Sequence, residues 1–229
     1  MNHIVIIGFM GSGKTRVGKR LAKDFNLPFV DVDRVVSKKM NLTMKEIFDR
    51  FGEPFYRALE TTVIKALIDD PEQKIISLGS GLPMQEQNAK YIKKLGTVVY
   101  LKGSYATLKK RLENSSSNPL IEGEDKEDKI RKLLKQRDPV YTKFADVEMI
   151  TGDKPFEDLI GQLEEKLKTY YPEDVELDDI IMSVYSLLNF TSIMFEYSSY
   201  QFDLDMSQIK TCLYESKENI ENMLQKISN

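Results

Sequence analysis

The sequence predicts an α/β fold in which a five-stranded parallel β-sheet is flanked by helices. Short β-branched runs alternate with stretches of helical periodicity, which is typical of consecutive βαβ units. A glycine-rich loop follows the first β-branched run and leads directly into a helical pattern. Hydrophobic residues (41%) and charged residues (30%) occur in the proportions of a folded globular protein, which excludes a disordered or fibrous chain.

The predicted sheet and its helices lie within residues 1–170. Thr43 and Glu46 have the spacing of a capping box at the start of one helix, and Pro155 suits the first turn of another. Residues 114–125 are rich in turn formers and small polar residues, which predicts a mobile lid. The predicted strands are Ile4–Ile7, Phe29–Val32, Lys74–Leu78, Thr97–Leu101 and Val147–Ile150. The predicted helices span 14–25, 34–40, 44–51, 57–68, 85–94, 104–113, 126–137 and 155–169.

Residues 171–229 are predicted to form an acidic helical extension after a boundary at Pro172–Asp174. They hold 11 Asp and Glu residues against three Lys, which leaves 30 basic and 25 acidic residues in 1–170. Two amphipathic stretches follow the boundary, and the second, from Asp205, repeats apolar residues at alternating three- and four-residue spacing. This pattern fits an intramolecular helical hairpin and equally a surface for self-association or for a protein partner.

The composition favours a cytoplasmic protein without a membrane or nucleic-acid partner. Cys212 is the single cysteine of the sequence, so no disulfide can form within the chain. No secretory signal pattern and no apolar run of the ~20 residues that span a bilayer is present. His3 and Cys212 have no neighbours in sequence that indicate a metal site or a nucleophile.

The glycine-rich loop has the P-loop pattern, Gly8-Phe9-Met10-Gly11-Ser12-Gly13-Lys14-Thr15. The backbone N–H groups of Gly11, Ser12 and Gly13 can converge on phosphate oxygens, since glycine tolerates positive φ and has no Cβ. Lys14 is expected to reach the β- and γ-phosphates, and the Thr15 hydroxyl to bind magnesium. The loop therefore predicts a nucleotide site that takes ATP and Mg²⁺.

Asp31 and Asp33 stand at the end of the second predicted strand. The period of two places both carboxylates on one side, near the carboxyl edge of the sheet where ligands bind. Asp31 could hold magnesium, directly or through a water, and Asp33 could receive a hydroxyl proton. The alternative for Asp33 is to cap the following helix.

Several further segments follow the P-loop in a characteristic order and spacing. They are Asp31-Val32-Asp33, Ile47-Phe48, Gly52-Glu53, Tyr56-Arg57-Ala58-Leu59-Glu60, Gly79-Ser80-Gly81, Pro119-Leu120-Ile121 and Arg137-Asp138-Pro139-Val140-Tyr141. With these segments the chain resembles the shikimate kinase family over residues 1 to about 170. The resemblance implies a P-loop kinase fold with a mobile lid. It also implies transfer of the ATP γ-phosphoryl group to the 3-hydroxyl of shikimate, in chorismate and aromatic amino acid biosynthesis.

The resemblance also implies a role for individual residues. Asp33 would orient or deprotonate the hydroxyl, and Arg57 and Arg137 would clamp the carboxylate, which suits the guanidinium fork. Glu60 would hold Arg57 in place, although an ordinary helix pair of the two residues is the alternative. The other positions that the resemblance assigns to substrate or nucleotide contact are Phe48, Gly79, Ser80, Gly81, Arg111 and Thr151–Pro155.

Two positions depart from the family pattern. Ser80 replaces the middle one of three glycines, which is harmless unless that position requires positive φ or a close approach of the substrate. Asn118 replaces an arginine that precedes Pro-Leu in the lid and reaches the transferring phosphate, so Asn118 contacts nucleotide there without supplying charge. The lysines that could supply the missing charge are Lys109, Lys110, Lys126 and Lys129.

Two other functions stay open at this point. One is a related kinase of the gluconate type. The two clamp arginines and the Gly79–Gly81 segment argue against it, because together they favour a carboxylate carried on a ring. The other is a non-catalytic nucleotide-binding protein whose extension contacts a partner, which Ser80 and Asn118 favour. ADP production with and without shikimate separates the three functions.

Asn118→Arg should raise kcat while leaving the affinity for ATP nearly unchanged. A lid cation stabilises the transition state more than bound ATP, and an arginine in that role contributes ~10³–10⁵ in rate. Steady-state kinetics of this variant, and of alanine variants of the four lysines, measures the effect. Brisk turnover that is insensitive to all five substitutions would contradict a need for a lid cation.

Overall fold

Five parallel strands form one sheet at the centre of the fold. The computed structural model describes residues 2–113, 119–152 and 155–171. The strands are β1 (His3–Gly8), β2 (Phe29–Asp31), β3 (Ile75–Ser77), β4 (Gly96–Gly103) and β5 (Val147–Thr151). They pair in the order β2-β3-β1-β4-β5 and confirm the predicted α/β fold.

Helices precede or follow every strand in the described ranges. The α-helices are α1 (Lys14–Asp24), α2 (Val32–Met40), α3 (Met44–Ile68), α4 (Ala89–Leu95), α5 (Tyr105–Leu112), α6 (Lys126–Phe144) and α7 (Phe156–Lys168). Short 3₁₀ turns cover Leu82–Met84, Glu86–Asn88 and Pro119–Ile121. The capping box of Thr43 and Glu46 is present at the start of α3, as predicted.

The central strand β1 places the phosphate loop. All six of its residues are buried, and Ile4 pairs in register with Ile75 of β3 and with Thr97 of β4. A parallel strand covered on both faces needs a continuous apolar run, which is why β1 shows no polar alternation. Because Gly8 ends the strand, the glycine-rich loop begins at the carboxyl edge of the sheet.

Four predicted helices differ from the structure. The two helices predicted over 44–51 and 57–68 are parts of α3, which is interrupted at Gly52, with φ 80° and ψ 165°. The helix predicted over 85–94 is replaced by 3₁₀ turns and the shorter α4. Helix α6 does not end at residue 137 but continues through Pro139, since Tyr141 packs in the core and tertiary packing outweighs the one lost backbone hydrogen bond.

The described ranges contain no helix that combines the length and the apolar character needed to cross a bilayer. Residues Met1–Tyr170 form one compact unit. Beyond Tyr171, the predicted extension and Cys212 lie outside the described residues.

Gly96→Ala should destabilise the fold by about 2–4 kcal/mol, because a backbone clash and strain cannot be relieved by side-chain movement. Gly96 has φ 148°, and a Cβ there would lie 2.0 Å from the carbonyl oxygen of His3. Chemical denaturation measures the change in the free energy of unfolding. The matched control is Gly161→Ala in α7, where the new Cβ would have no described atom within 4 Å apart from its own stretch of helix. That control should stabilise the helix by about 0.5–1 kcal/mol, and equal stabilities of the two variants would contradict the close approach at Gly96.

Candidate active site

The carboxyl edge of the sheet borders a cavity of about 520 Å³. The loop after β1, the turn after β2 and the loop after β3 all reach it, as expected for parallel strands. Its lining residues are Met10, Gly11, Gly13, Lys14, Thr15, Arg16, Asp31, Asp33, Met44, Arg57, Ser77, Ser80, Arg111, Leu112 and Leu120.

The P-loop has the backbone geometry of a phosphate site. Gly11 (φ 78°) and Gly13 (φ 97°) adopt positive φ, and α1 begins directly after them at Lys14. The Lys14 Nζ donates hydrogen bonds to the carbonyl oxygens of Gly8 and Phe9, both at 3.0 Å. Burial lowers the pKa of Lys14 to about 8, against the opposing effect of the Asp33 and Asp31 carboxylates. An anion bound in the loop would therefore stabilise the charged form of Lys14.

Thr15 and Asp31 meet at the floor of the cavity. The Thr15 hydroxyl donates to Oδ2 of Asp31 at 2.8 Å, while Oδ1 of Asp31 accepts from the backbone N–H of Arg34. Asp31 is thus the N-cap of α2, the role that had been the alternative for Asp33. Within the described ranges, no group of three or more His, Cys, Asp or Glu is arranged to hold a metal ion.

Asp33 lies in the first turn of α2 and not on the second strand as predicted. The strand ends at Asp31 because that residue caps the helix. Asp33 still lines the same cavity as Asp31, so the two carboxylates share a site by helix geometry and not by strand period. The hydroxyl of Tyr56, on α3, donates to Oδ1 of Asp33 at 2.7 Å.

Arg57 is held by two carboxylates of its own helix. Its Nη1 donates to Oε2 of Glu60 at 2.7 Å, and its Nη2 and Nε donate to Oε1 of Glu53 at 2.8 and 3.1 Å. The Glu60 side chain is 0% exposed and that of Arg57 is 8% exposed, so this is a buried ion pair and not a solvated helix pair. The arrangement fits the expectation that Glu60 holds Arg57.

The second oxygen of Glu60 lies against Gly79. Its Oε1 has no hydrogen-bond donor among the described residues. Burial raises the pKa of Glu60 to about 7; the Arg57 charge lowers it and the Asp33 carboxylate raises it. Asp33, Glu60 and the backbone of Gly79 meet closely, since a Cβ on Gly79 would lie 2.0 Å from Glu60 Oε1 and 2.7 Å from Asp33 Oδ1.

Ser80, which lines the cavity, is hydrogen-bonded to Arg137. Arg137 Nη1 donates to the Ser80 hydroxyl at 3.1 Å, and the Tyr141 hydroxyl donates to the Ser80 carbonyl at 2.6 Å. In the described part of the chain only Asn26 and Asn41 are non-glycine residues at positive φ, so the backbone at position 80 does not require glycine. Serine is accommodated there, and its hydroxyl contacts a clamp arginine.

Some predicted residues do not line the cavity. Arg137 donates to Ser80, which does line the cavity, and Gly79 and Gly81 lie against Glu60 and Arg57. The ring of Phe48 packs against Tyr56, with the ring centroids 5.2 Å apart.

A second cavity of about 350 Å³ lies on the other side of the P-loop. Arg111 and Arg16 line both cavities, and Arg111 Nη1 donates to the carbonyl oxygen of Gly11 at 3.1 Å. The Arg16 guanidinium stacks over the ring of Phe156, 3.9 Å from its centroid. Thr151 also lines this cavity, whereas residues 153–154 lie outside the described part of the chain.

The lid is described only in part. Asn118 lies outside the described residues. None of the four lysines considered as its replacement lines the 520 Å³ cavity. Lys109 pairs with Glu127 and Lys129 with Asp125, each at 2.7 Å. The source of a lid cation therefore stays a prediction.

Sequence reasoning missed Tyr56 and Arg16. Tyr56 belongs to a motif segment and lies one turn before Glu60, on the same helical face, which was a usable signal. Arg16 follows the P-loop threonine, but its stacking on Phe156 joins residues 140 positions apart and has no local signal.

Comparisons with known proteins agree with this geometry. The model of the family SKI, shikimate kinase, matches residues 10–168. A shikimate kinase of Thermodesulfovibrio yellowstonii is 38% identical over 167 residues, covering 72% of this chain and 96% of the relative. The structure of a shikimate kinase from Acinetobacter baumannii in complex with shikimate has a TM-score of 0.69 and 31% identity, covering 76% of this chain and 96% of that one. The Aquifex aeolicus shikimate kinase structure has a TM-score of 0.63 and 33% identity, covering 74% and 98%.

The family match extends over well over half of the chain, from the P-loop to the last described helix, and the relatives are covered almost completely. The fold of the solved relatives is the fold seen here. This chain belongs to the shikimate kinase family.

Proposed function

We propose that this chain is an ATP-dependent shikimate kinase, which transfers the γ-phosphoryl group of ATP to the 3-hydroxyl of shikimate. The observation that carries the proposal is the convergence of the P-loop, Asp33 and Arg57 on one cavity of about 520 Å³. A cavity of this size accommodates phosphates on one side and a small carboxylated substrate on the other.

Arg57 is prepared to bind a carboxylate. A guanidinium has five N–H donors, and the bonds to Glu53 and Glu60 use three of them. Among the described residues, one N–H on each terminal nitrogen has no acceptor, and these two donors match the two oxygens of a carboxylate. Arg137, held by Ser80, supplies a second guanidinium near the same cavity. This pair favours an acidic substrate over a neutral sugar.

Asp33 and Lys14 have separate roles in the phosphoryl transfer. The hydroxyl oxygen of the substrate bonds to the γ-phosphorus, the bond to the bridging oxygen of ADP breaks, and the hydroxyl proton passes to Asp33. Lys14 lies beside the phosphate loop and offers its charge to the phosphate oxygens. Most of the catalysis then rests on positioning and on fixed positive charge.

Thr15 and Asp31 offer oxygen ligands that suit a magnesium ion bound together with ATP. Thr15 Oγ1 and Asp31 Oδ2 lie 2.8 Å apart in the cavity, and hydroxyl and carboxylate oxygens are the ligands that Mg²⁺ prefers. Thr15 would bind the ion directly, and Asp31 would hold it through a water. When bound, the ion neutralises charge on the β- and γ-phosphates.

ADP formation from ATP and Mg²⁺, measured with and without shikimate, tests the proposal. ADP should form rapidly only when shikimate is present, and phosphorus NMR should place the phosphate on the 3-hydroxyl. Turnover with gluconate but not with shikimate would indicate the related kinase. Nucleotide binding without turnover of either acceptor would indicate a non-catalytic protein.

Arg137→Lys should raise the KM for shikimate by roughly 10–100-fold and leave the KM for ATP nearly unchanged, because a point charge replaces a bidentate fork. Arg57→Lys should act in the same direction. Arg131→Lys in the same helix α6 is the matched control, since Arg131 stacks on Tyr105 away from this cavity. Equal losses of shikimate and ATP affinity in the Arg137 variant would show that this arginine has a general structural role.

We also propose that residues 1–170 carry the activity in the cytoplasm, and that residues 171–229 are an appended extension. A chain that ends at Tyr170 should fold, bind ATP and keep the kcat of the full chain, because it retains the whole sheet and the cavity. Circular dichroism, ATP titration and the ADP assay measure this. An insoluble shortened chain beside a stable full-length monomer would show that the extension belongs to the same core.

A further inference from the structure

Tyr56 is a buried residue whose hydroxyl has one hydrogen-bond partner among the described residues, and that partner lies in the candidate site. Its side chain is 0% exposed, and its ring packs against Phe48. Its hydroxyl donates to Oδ1 of Asp33 at 2.7 Å, across 23 residues of sequence. A hydrogen bond to a carboxylate is stronger than one between neutral groups, so this bond fixes the Asp33 side chain firmly.

Asp33 needs such an anchor because of where it lies. It is in the first turn of α2 and half-buried, with one side open to the cavity. A carboxyl group that receives a proton in the transition state must present one oxygen at a defined position, and small misplacements reduce the rate. A bond that occupies Oδ1 leaves Oδ2 for the substrate hydroxyl.

We propose that Tyr56 is a positioning residue that holds Oδ1 of Asp33, so that Oδ2 is directed to the substrate hydroxyl during phosphoryl transfer. The proposal rests on the proposed function. Tyr56 itself is too buried to touch substrate, and it acts only through Asp33.

The chemistry of Tyr56 suits a permanent donor. Burial and the adjacent Asp33 carboxylate both raise the pKa of Tyr56, so the hydroxyl keeps its proton. The aromatic contacts with Phe48 and with the Arg57 guanidinium, 5.5 Å from the Tyr56 ring centroid, fix the direction of the ring. The hydroxyl therefore does not depend on solvent for its orientation.

The chain offers a matched control in Tyr100. This tyrosine is equally buried, at 1% exposed, and its hydroxyl donates to Oδ1 of Asp138 at 2.5 Å. Neither Tyr100 nor Asp138 lines the cavity that contains Asp33. Tyr100→Phe thus removes the same kind of bond from the same kind of environment without touching the proposed base.

Tyr56→Phe should lower kcat about tenfold and change the KM for ATP by less than about twofold, because the base is displaced while the nucleotide site is intact. Tyr100→Phe should leave kcat within about twofold of the wild type. A Tyr56→Phe enzyme that keeps its kcat, or loses no more of it than the Tyr100→Phe enzyme, would overturn the positioning role.

A second measurement tests the bond without substrate. Urea unfolding midpoints are compared for the wild type, Tyr56→Phe, Asp33→Ala and the double variant. If the two side chains are coupled, Tyr56→Phe should lower the unfolding midpoint less in the Asp33→Ala background than in the wild type. Equal decreases of the midpoint in both backgrounds would overturn the proposal. If the wild type shows no shikimate-dependent turnover, the proposed function fails, and the unfolding cycle still decides whether Tyr56 holds Asp33.

Discussion

A buried ion pair organises the substrate side of this protein. Arg57 and Glu60 are on one face of α3, and the loop after β3 closes over them. A Cβ on Gly79 would lie 2.0 Å from Glu60 Oε1, and one on Gly81 would lie 2.3 Å from Arg57 Nη2. The two glycines are thus required by the pair itself. Removing the Arg57 charge would leave Glu60 buried and uncompensated, which is far more costly than losing a surface pair. Removing Glu60 would leave Arg57 with its ion pair to Glu53.

The Arg57–Glu60 pair lies beside both the cavity and Asp33. Arg57 lines the cavity, and two of its N–H groups have no acceptor among the described residues, while Glu60 lies against Asp33 and Gly79. In the proposed function, Arg57 on α3 would bind the substrate carboxylate, and Glu60 on the same helix would lie beside the proton acceptor Asp33. The loop after β1 would hold the phosphates. The two sites meet because parallel strands end at one edge of the sheet.

Ser80, which stands where the family pattern has a glycine, fits its loop in the structure. Serine there needs no positive φ, and its hydroxyl gives Arg137 a hydrogen-bond partner. The middle position of this loop thus tolerates a side chain, whereas its flanking glycines are packed against Glu60 and Arg57. Ser80 therefore gives no reason to expect a loss of activity. This removes one of the two residues that favoured a non-catalytic protein.

The sequence by itself determined the sheet, the phosphate loop and most of the residues around the cavity, because these depend on local patterns. A continuous apolar run, a glycine-rich loop and a capping box act over a few neighbouring residues. The strand ends at Asp31, one residue before its predicted end, because Asp31 caps helix α2. This small shift changed the reason why Asp31 and Asp33 share a site. The tertiary structure alone decided the burial of Arg57 and Glu60, the anchoring of Asp33 by Tyr56 and the stacking of Arg16 on Phe156. These depend on which helix faces which loop, and that is set by the packing of the whole core.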